Sequence, residues 1–265
     1  MSLSTNIAGL QSLMQFDNKL QLILSRTLFR SNPLDVYCLG GKQILVDSSA
    51  DDENGTRAAI ISPMYKQFLP QMTLPDQVNV LDFGANGGGF TLMLELNGIA
   101  IRKVACIEFN PNTYSRMRFN VERNVQGEFI GFNAAVCGQK QELELTLGAG
   151  GTSDSIYEQR TGQGTRRFKI QGLTFDDVFA AAFGDEHVDI CKLDVEAAEY
   201  EICSTPFHQS LHKCSYLIIE IHPHPTKEKK FVLDELKSFG FQELCRDTAT
   251  DQDVYLLKNT HLISE

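Results

Sequence analysis

Val78-Asn79-Val80-Leu81-Asp82-Phe83-Gly84-Ala85-Asn86-Gly87-Gly88-Gly89 decides the fold. An apolar, β-branched run reads as a strand, Val78–Phe83, and the glycines after it form a turn. Gly89–Asn97 then reads as a helix, stopped by Gly98. Glycines allow positive φ and a close approach to a ligand, and the first turn of a helix offers free amide donors. A dinucleotide site uses the same device for pyrophosphate. Here, however, the spacing is Gly84-x-x-Gly87-x-Gly89 rather than GxGxxG. Asp82 also places an anion beside the turn, which repels phosphate and suits a sulfonium or ammonium cation. A tight strand–helix turn that holds no ligand is the alternative reading.

Working outward, strands and helices alternate. Lys103–Phe109 reads as a strand with Glu108 near its end, 24 residues after Gly84. An acid in that place can accept both hydroxyls of a ribose. Asn110 can cap the next helix, with Pro111 at its first position and Tyr114, Met117 and Val121 on one face. Glu128–Val136 reads as a strand, and Glu142–Leu147 with Phe168–Leu173 as an added hairpin or edge joined by a glycine-rich loop. His187–Leu193 and Tyr216–Ile221 are strands with a short helix at 197–203 between them. A helix at 227–239 ends at Gly240, and Phe241–Cys245 and Val254–Leu257 close the chain. This alternation implies a mostly parallel α/β sheet covered by helices on both faces. Such sheets bind ligands outside the carboxyl ends of the strands, where strand order reverses.

Upstream, Ile7, Leu10, Leu13, Phe16, Leu20, Ile23, Leu24 and Leu28 give residues 7–30 one apolar helical face, broken at Asn32-Pro33. Val36–Leu39 and Ile44–Val46 flank Gly40-Gly41 as a hairpin, and residues 57–72 read as helical. A boundary near residue 75 divides the chain into an N-terminal cap region, 1–75, and a main domain, 76–265. The cap is short for an independent core.

The 265 residues carry 24 basic and 34 acidic side chains, a net charge of −10. That balance argues against a nucleic-acid partner. No apolar run reaches membrane-spanning length, and no apolar signal core opens the chain. The 7 cysteines include no CxxC. They read as reduced, mostly buried thiols of a cytoplasmic protein.

Two further segments carry chemistry. Asp194, Glu196 and Glu199 cluster where a strand gives way to a helix, beyond what helix capping alone explains. In Glu220-Ile221-His222-Pro223-His224, Glu220 and His222 share one strand face. Together they could orient and deprotonate an alcohol, or join Asp194 in holding a divalent metal such as Mg²⁺. His224 reads as a rim residue.

Taken in order, these motifs resemble the FkbM-type methyltransferases: Asp82–Gly88, Glu108–Pro111, Asn133–Ala135, Thr174–Asp177, Lys192–Glu199 and Glu220–Pro223. The resemblance covers about residues 78–258. It implies a class I, Rossmann-like fold that binds S-adenosylmethionine (SAM), with a seven-stranded sheet whose last strand is antiparallel. It also implies O-methylation, often of sugars or hydroxylated natural products. By position, Asp82, Gly84 and Asn86 would line the methionine side of SAM, Glu108 would hold the ribose, and Asn133 with Ala134 would lie near the adenine. Ala85, Gly88, Phe109 and Asp194 would complete the cofactor contacts. Ala197 stands where the family has a glycine, Phe109 where a proline is common, and Gly87 where isoleucine is common.

The expectation is therefore a SAM-dependent O-methyltransferase acting on a small hydroxylated acceptor. His222 would serve as a neutral general base oriented by Glu220, with Asp194 and Glu196 binding acceptor hydroxyls or a metal. A nicotinamide-dependent oxidoreductase is the rival enzyme, opposed by the glycine spacing and by Asp82. An interaction module built on the same fold is the non-catalytic rival.

Overall fold

A computed structural model describes residues 9, 11–29, 32–148, 165–204, 206, 208–250 and 252–263. Its N-terminal part comprises helix α1 (Lys19–Leu28), the hairpin strands β1 (Leu34–Leu39) and β2 (Lys42–Asp47), and short helices α2 (Ala58–Ile61) and α3 (Pro63–Lys66). The main domain follows as β3 (Val78–Phe83), α4 (Gly89–Leu96), β4 (Ile101–Ile107), α5 (Pro111–Asn124), β5 (Glu128–Phe132), β6 (Ala134–Val136), β7 (Gln141–Leu147) and β8 (Arg166–Leu173). It ends with α6 (Phe175–Ala182), β9 (Val188–Leu193), α7 (Glu199–Ser204), β10 (Cys214–Glu220), α8 (Lys229–Ser238), β11 (Phe241–Arg246) and β12 (Val254–Asn259).

Seven strands form one sheet in the order β11-β12-β10-β9-β3-β4-β5. Strands β5, β4, β3, β9 and β10 run parallel, and β12 is antiparallel to both its neighbours. This is the class I sheet, with its last strand reversed. Chain order reverses at β3, which lies between β4 and β9, so a crevice opens at the carboxyl ends of those strands. The period-2 alternation of each strand divides the core. Val80, Val104, Cys106, Ile190 and Ile218 pack on one face with α4 and α5. Leu81, Phe83, Ala105, Ile107, Cys191 and Ile219 pack on the other with α6, α7 and α8.

Three element expectations are corrected. The segment 128–136 is two strands, because β6 leaves the main sheet to pair with β8. Asn133 makes the break: its side-chain amide donates to the carbonyls of Glu108 (2.9 Å) and Phe109 (3.0 Å). Residues 7–30 are not one helix. Asp17 and Asn18 interrupt it, since the Asp17 carboxylate accepts from the Gly40 amide and the Asn18 side chain bonds Cys38 and Val36 of the hairpin. Only Leu22 of α1 is buried, while Leu20, Leu24 and Leu28 face outward. Finally, Pro63 splits the expected helix at 57–72, with the Ser62 hydroxyl capping the second piece. The Gly148–Gly164 loop lies, beyond Gly148 itself, outside the described residues.

The N-terminal part shares the core of the main sheet. Leu13, Phe16, Leu22, Tyr37, Ile44, Ile60, Tyr65 and Phe68 join the same buried cluster as Val80 and Val104. A polar face of α5 fixes the contact, with Arg116, Asn120 and Asn124 spaced four apart on one side. Asn120 accepts from the Leu45 amide (2.7 Å) and donates to the Leu45 carbonyl (3.0 Å) and the Gly87 carbonyl (2.9 Å). Asn124 makes the same exchange with Gln43. Arg116 forks onto Asp52 through two hydrogen bonds of 2.7 and 2.9 Å. Asp52 is fully buried, so removing its partner strands a charge. Arg116→Ala should therefore cost about 3–5 kcal/mol of stability in urea unfolding. A loss below about 1 kcal/mol would show that this pair does not hold the cap.

Candidate functional site

The strongest local constraint is the turn after β3. The amides of Gly84 and Ala85 both donate to the Ile107 carbonyl at the end of β4, at 3.1 and 2.9 Å. Gly84 has φ +70°, and a Cβ there would lie 1.7 Å from the Asp194 carbonyl oxygen. Only glycine lets the ends of β3 and β9 come this close. Gly87 and Gly89 make room for another part of the chain. A Cβ on Gly87 would meet the Thr56 hydroxyl at 2.0 Å, and one on Gly89 the Thr56 carbonyl at 2.5 Å. Their close approach is to the cap.

Around this turn lies a pocket of about 670 Å³, within the size range of small-molecule sites. Gly84, Ala85 and Asn86 form its base. Glu108 and Phe109 with Ala134–Val136 form one wall, and Lys192, Asp194–Glu196, Glu220 and His222 form the other. Cap residues 54–65 and the β11–β12 connection, through Thr250 and Gln252, close it above. Of the residues expected at the cofactor, Gly84, Ala85, Asn86, Glu108, Phe109, Ala134 and Asp194 line the pocket. Asp82, Gly88 and Asn133 do not, and Asn133 instead anchors the chain behind Glu108.

Glu108 is held ready. One carboxylate oxygen accepts from the Asn86 amide (3.1 Å) and the other from the Asn110 amide (2.8 Å).

Asp82 is fully buried beneath the turn. One oxygen accepts from the Thr91 hydroxyl at 3.0 Å, and the other lies 3.6 Å from the Lys192 ammonium. Its carboxylate faces Lys192 beneath the turn and does not line the pocket. Lys192 also lies 3.0 Å from Asp194 and donates to the Gly84 carbonyl at 3.0 Å. Burial works against its charge, but Asp194 and Asp82 more than offset that and hold its pKa above the ordinary lysine range. Tyr65, brought in by α3, donates to the same Asp194 oxygen that faces Lys192, at 3.3 Å. Burial and the Asp194, Glu220 and Asp82 carboxylates push this phenol well above its usual range, so it stays a donor. Lys192 and Tyr65 are not among the residues expected at the site from sequence. A lysine inside an otherwise apolar strand was a legible signal, whereas Tyr65 offered none.

The acid–histidine cluster forms as expected, with one addition. His222 Nδ1 lies 3.0 Å from Glu199, which also accepts from the Val195 amide at 3.1 Å. Glu199 therefore fixes the ring, while Glu220 faces the other nitrogen. Around Nε2 stand Glu196 at 3.5 Å, Glu220 at 3.7 Å and Asp194 at 3.9 Å. Burial disfavours the imidazolium, but the Glu199 hydrogen bond and the surrounding carboxylates outweigh it and raise the His222 pKa to about 9. Burial and the Asp194 charge raise Glu220 to about 7. Burial raises Glu196 to about 7 against the pull of His222. The surrounding carboxylates thus favour the imidazolium, and the groups titrate as a coupled set.

Backbone strain marks the same place. Glu196 and Ala197 have φ of +51° and +76° in succession, a conformation that costs a non-glycine residue about 1–2 kcal/mol. Glycine would remove that cost at 197 but adds about 0.5–1 kcal/mol of unfolded-chain entropy. Ala197→Gly should therefore raise the unfolding free energy by up to about 1 kcal/mol. A clear destabilisation in the same measurement would show that Ala197 is not strained.

A model of the methyltransferase FkbM domain matches residues 82–243, more than half of the chain. No curated protein matches it. Among solved structures, it is similar to M. capricolum TrmK in complex with S-adenosyl-homocysteine (12% identity, 76% of this chain and 69% of that chain, TM-score 0.41). It is also similar to magnesium protoporphyrin IX methyltransferase from Synechocystis PCC 6803 with bound SAM (11%, 69% and 70%, TM-score 0.40). A third is ribosomal protein L11 methylase from Lactobacillus delbrueckii subsp. bulgaricus (9%, 78% and 79%, TM-score 0.42). The match across residues 82–243 takes in the glycine turn, Glu108 and the acid–histidine cluster, and by it the chain belongs to the FkbM methyltransferase family.

Proposed function

We propose that this enzyme methylates a hydroxyl oxygen of a small acceptor such as a sugar, a lipid or a hydroxylated natural product. The observation that carries the reading is the division of one pocket between two chemistries. Glu108, oriented by two backbone amides, suits a ribose diol, and the adjacent Ala134–Val136 wall suits a flat apolar ring. Across the glycine turn, Asp194, Glu196, Glu220 and His222 present hydrogen-bond acceptors and proton-transfer groups. The volume accommodates a nucleoside cofactor beside a small acceptor.

When bound, SAM supplies an electrophilic methyl group on a sulfonium. The chain's own residues position the acceptor, exclude water and receive a proton. Positioning holds the acceptor oxygen in line with the methyl group. With the methyl group supplied by SAM, the acceptor's hydroxyl proton would pass to the acid–histidine cluster as a unit. Tyr65 and Lys192 fix Asp194 in that cluster. Cap residues 54–65 and the β11–β12 connection cover the acceptor side, so they set specificity. The acidic lining disfavours phosphate-bearing acceptors, including nucleic acid.

No helix among the described residues is long and apolar enough to cross a membrane. The cysteines are free, which suits a reducing, cytoplasmic setting.

Calorimetry should show one SAM or S-adenosylhomocysteine per chain, weakened by about 1.5–3 kcal/mol in Glu108→Ala. Unchanged affinity would remove Glu108 from the cofactor site. With labelled SAM and a panel of hydroxylated acceptors, His222→Ala should lower turnover about 10²–10⁴-fold while cofactor affinity holds. A fully active variant would leave catalysis to positioning alone.

A further inference from the structure

We infer that Asp194, Glu220 and His222 form a binding site for a first-row divalent cation of the Mn²⁺ type. The inference deepens the hydroxyl-methylation reading and rests on it only for what the ion does there.

The geometry around His222 Nε2 is that of ligands sharing an ion. One atom each from Asp194, Glu220 and His222 lie within 4.8 Å of one another. The Asp194 and Glu220 oxygens stand 3.9 and 3.7 Å from Nε2, beyond the outer limit of a hydrogen bond. Two ligands on one metal at about 2.1 Å each lie roughly 3.0–3.4 Å apart. Each oxygen would close on Nε2 by roughly 0.3–0.9 Å to share an ion.

The outer shell supports this assignment independently. Ligating histidines usually donate their second ring N–H to a carboxylate, which fixes the tautomer and points the other nitrogen at the metal. Glu199 is fully buried and stands in that relation to His222 Nδ1 at 3.0 Å. Its other oxygen, Oε2, is buried without a hydrogen-bond partner. Asp194 is divided in the same sense. Lys192 and Tyr65 both contact Oδ2, which leaves Oδ1 toward His222.

Charge points the same way. Asp194, Glu196 and Glu220 line the pocket around His222, so the donors that face it are carboxylates that suit a cation. On binding, the ion takes the place of the Nε2 proton. One imidazole with two carboxylates is softer than the all-oxygen shell that Mg²⁺ prefers, so Mn²⁺ and its neighbours fit better. The remaining coordination positions open on the pocket, where an acceptor hydroxyl can bind and become more acidic.

The test is calorimetric titration of the full chain, stripped with chelator, with Mn²⁺. The expected result is saturable binding of one ion per chain, tighter than Mg²⁺. Asp194→Asn and His222→Ala should each weaken it at least about 10-fold, and Glu199→Gln about 10–100-fold through loss of ring orientation. Titration with S-adenosylhomocysteine shows that each variant is folded, and Glu199→Gln stands in if His222→Ala loses its fold. In the parent protein, Mn²⁺ should broaden the His222 ring proton signals ahead of those of the other histidines. Absent saturable binding, equal binding in folded His222→Ala, or broadening at another histidine would overturn the site. If Mn²⁺ binds and S-adenosylhomocysteine does not, the methyl-transfer reading fails and the metal site stands.

Discussion

The site depends on one buried ammonium. Lys192 sits on β9 with its charge sealed from water, between Asp82 at the end of β3 and Asp194 at the end of its own strand. It also donates to the Gly84 carbonyl in the turn. Unpaired, each of these charges would be expensive to bury. Together they pin the two strands at the point where sheet order reverses. Gly84 completes the arrangement by letting the turn touch the Asp194 backbone. The pocket base, the orientation of Asp194 and the anchoring of Tyr65 all follow from that contact.

A second constraint couples the cap to the turn. Thr56 packs against Gly87 and Gly89 and bonds Asn86, while Asn120 joins the Gly87 carbonyl to the hairpin. The cap is thus built onto the glycine turn as well as into the pocket lining. A change in cap packing would be felt at Asn86, whose amide holds Glu108. Across the pocket, the strained pair Glu196–Ala197 aims an acidic side chain at His222. Backbone strain of this kind persists where surrounding contacts over-determine it.

Much of this architecture was legible in the sequence because it is local. The apolar period of β3, the glycines after it, the Asn110-Pro111 helix start and the parity of Glu220 and His222 are written within a few residues of each other. What escaped was set by contacts between distant segments. Asp82 reads as a ligand for a cation until the fold brings Lys192 beneath it. Asn133 sits inside a run that reads as one strand, and its break comes from bonding the end of β4. The apolar spacing of residues 7–30 suggests a single helix, but Asp17 and Asn18 bond the hairpin instead. His222 looks like an ordinary base in sequence. Its company of four carboxylates, from β9, α7 and β10 and the turns after them, is set by contacts between these segments.

The most direct test is a crystal structure of the protein with S-adenosylhomocysteine. The ribose hydroxyls should lie on the Glu108 carboxylate, the adenine against Ala134–Val136, and the sulfur toward the Asp194–His222 side of the pocket. A ligand lying elsewhere, or one whose sulfur faces away from that cluster, would contradict it.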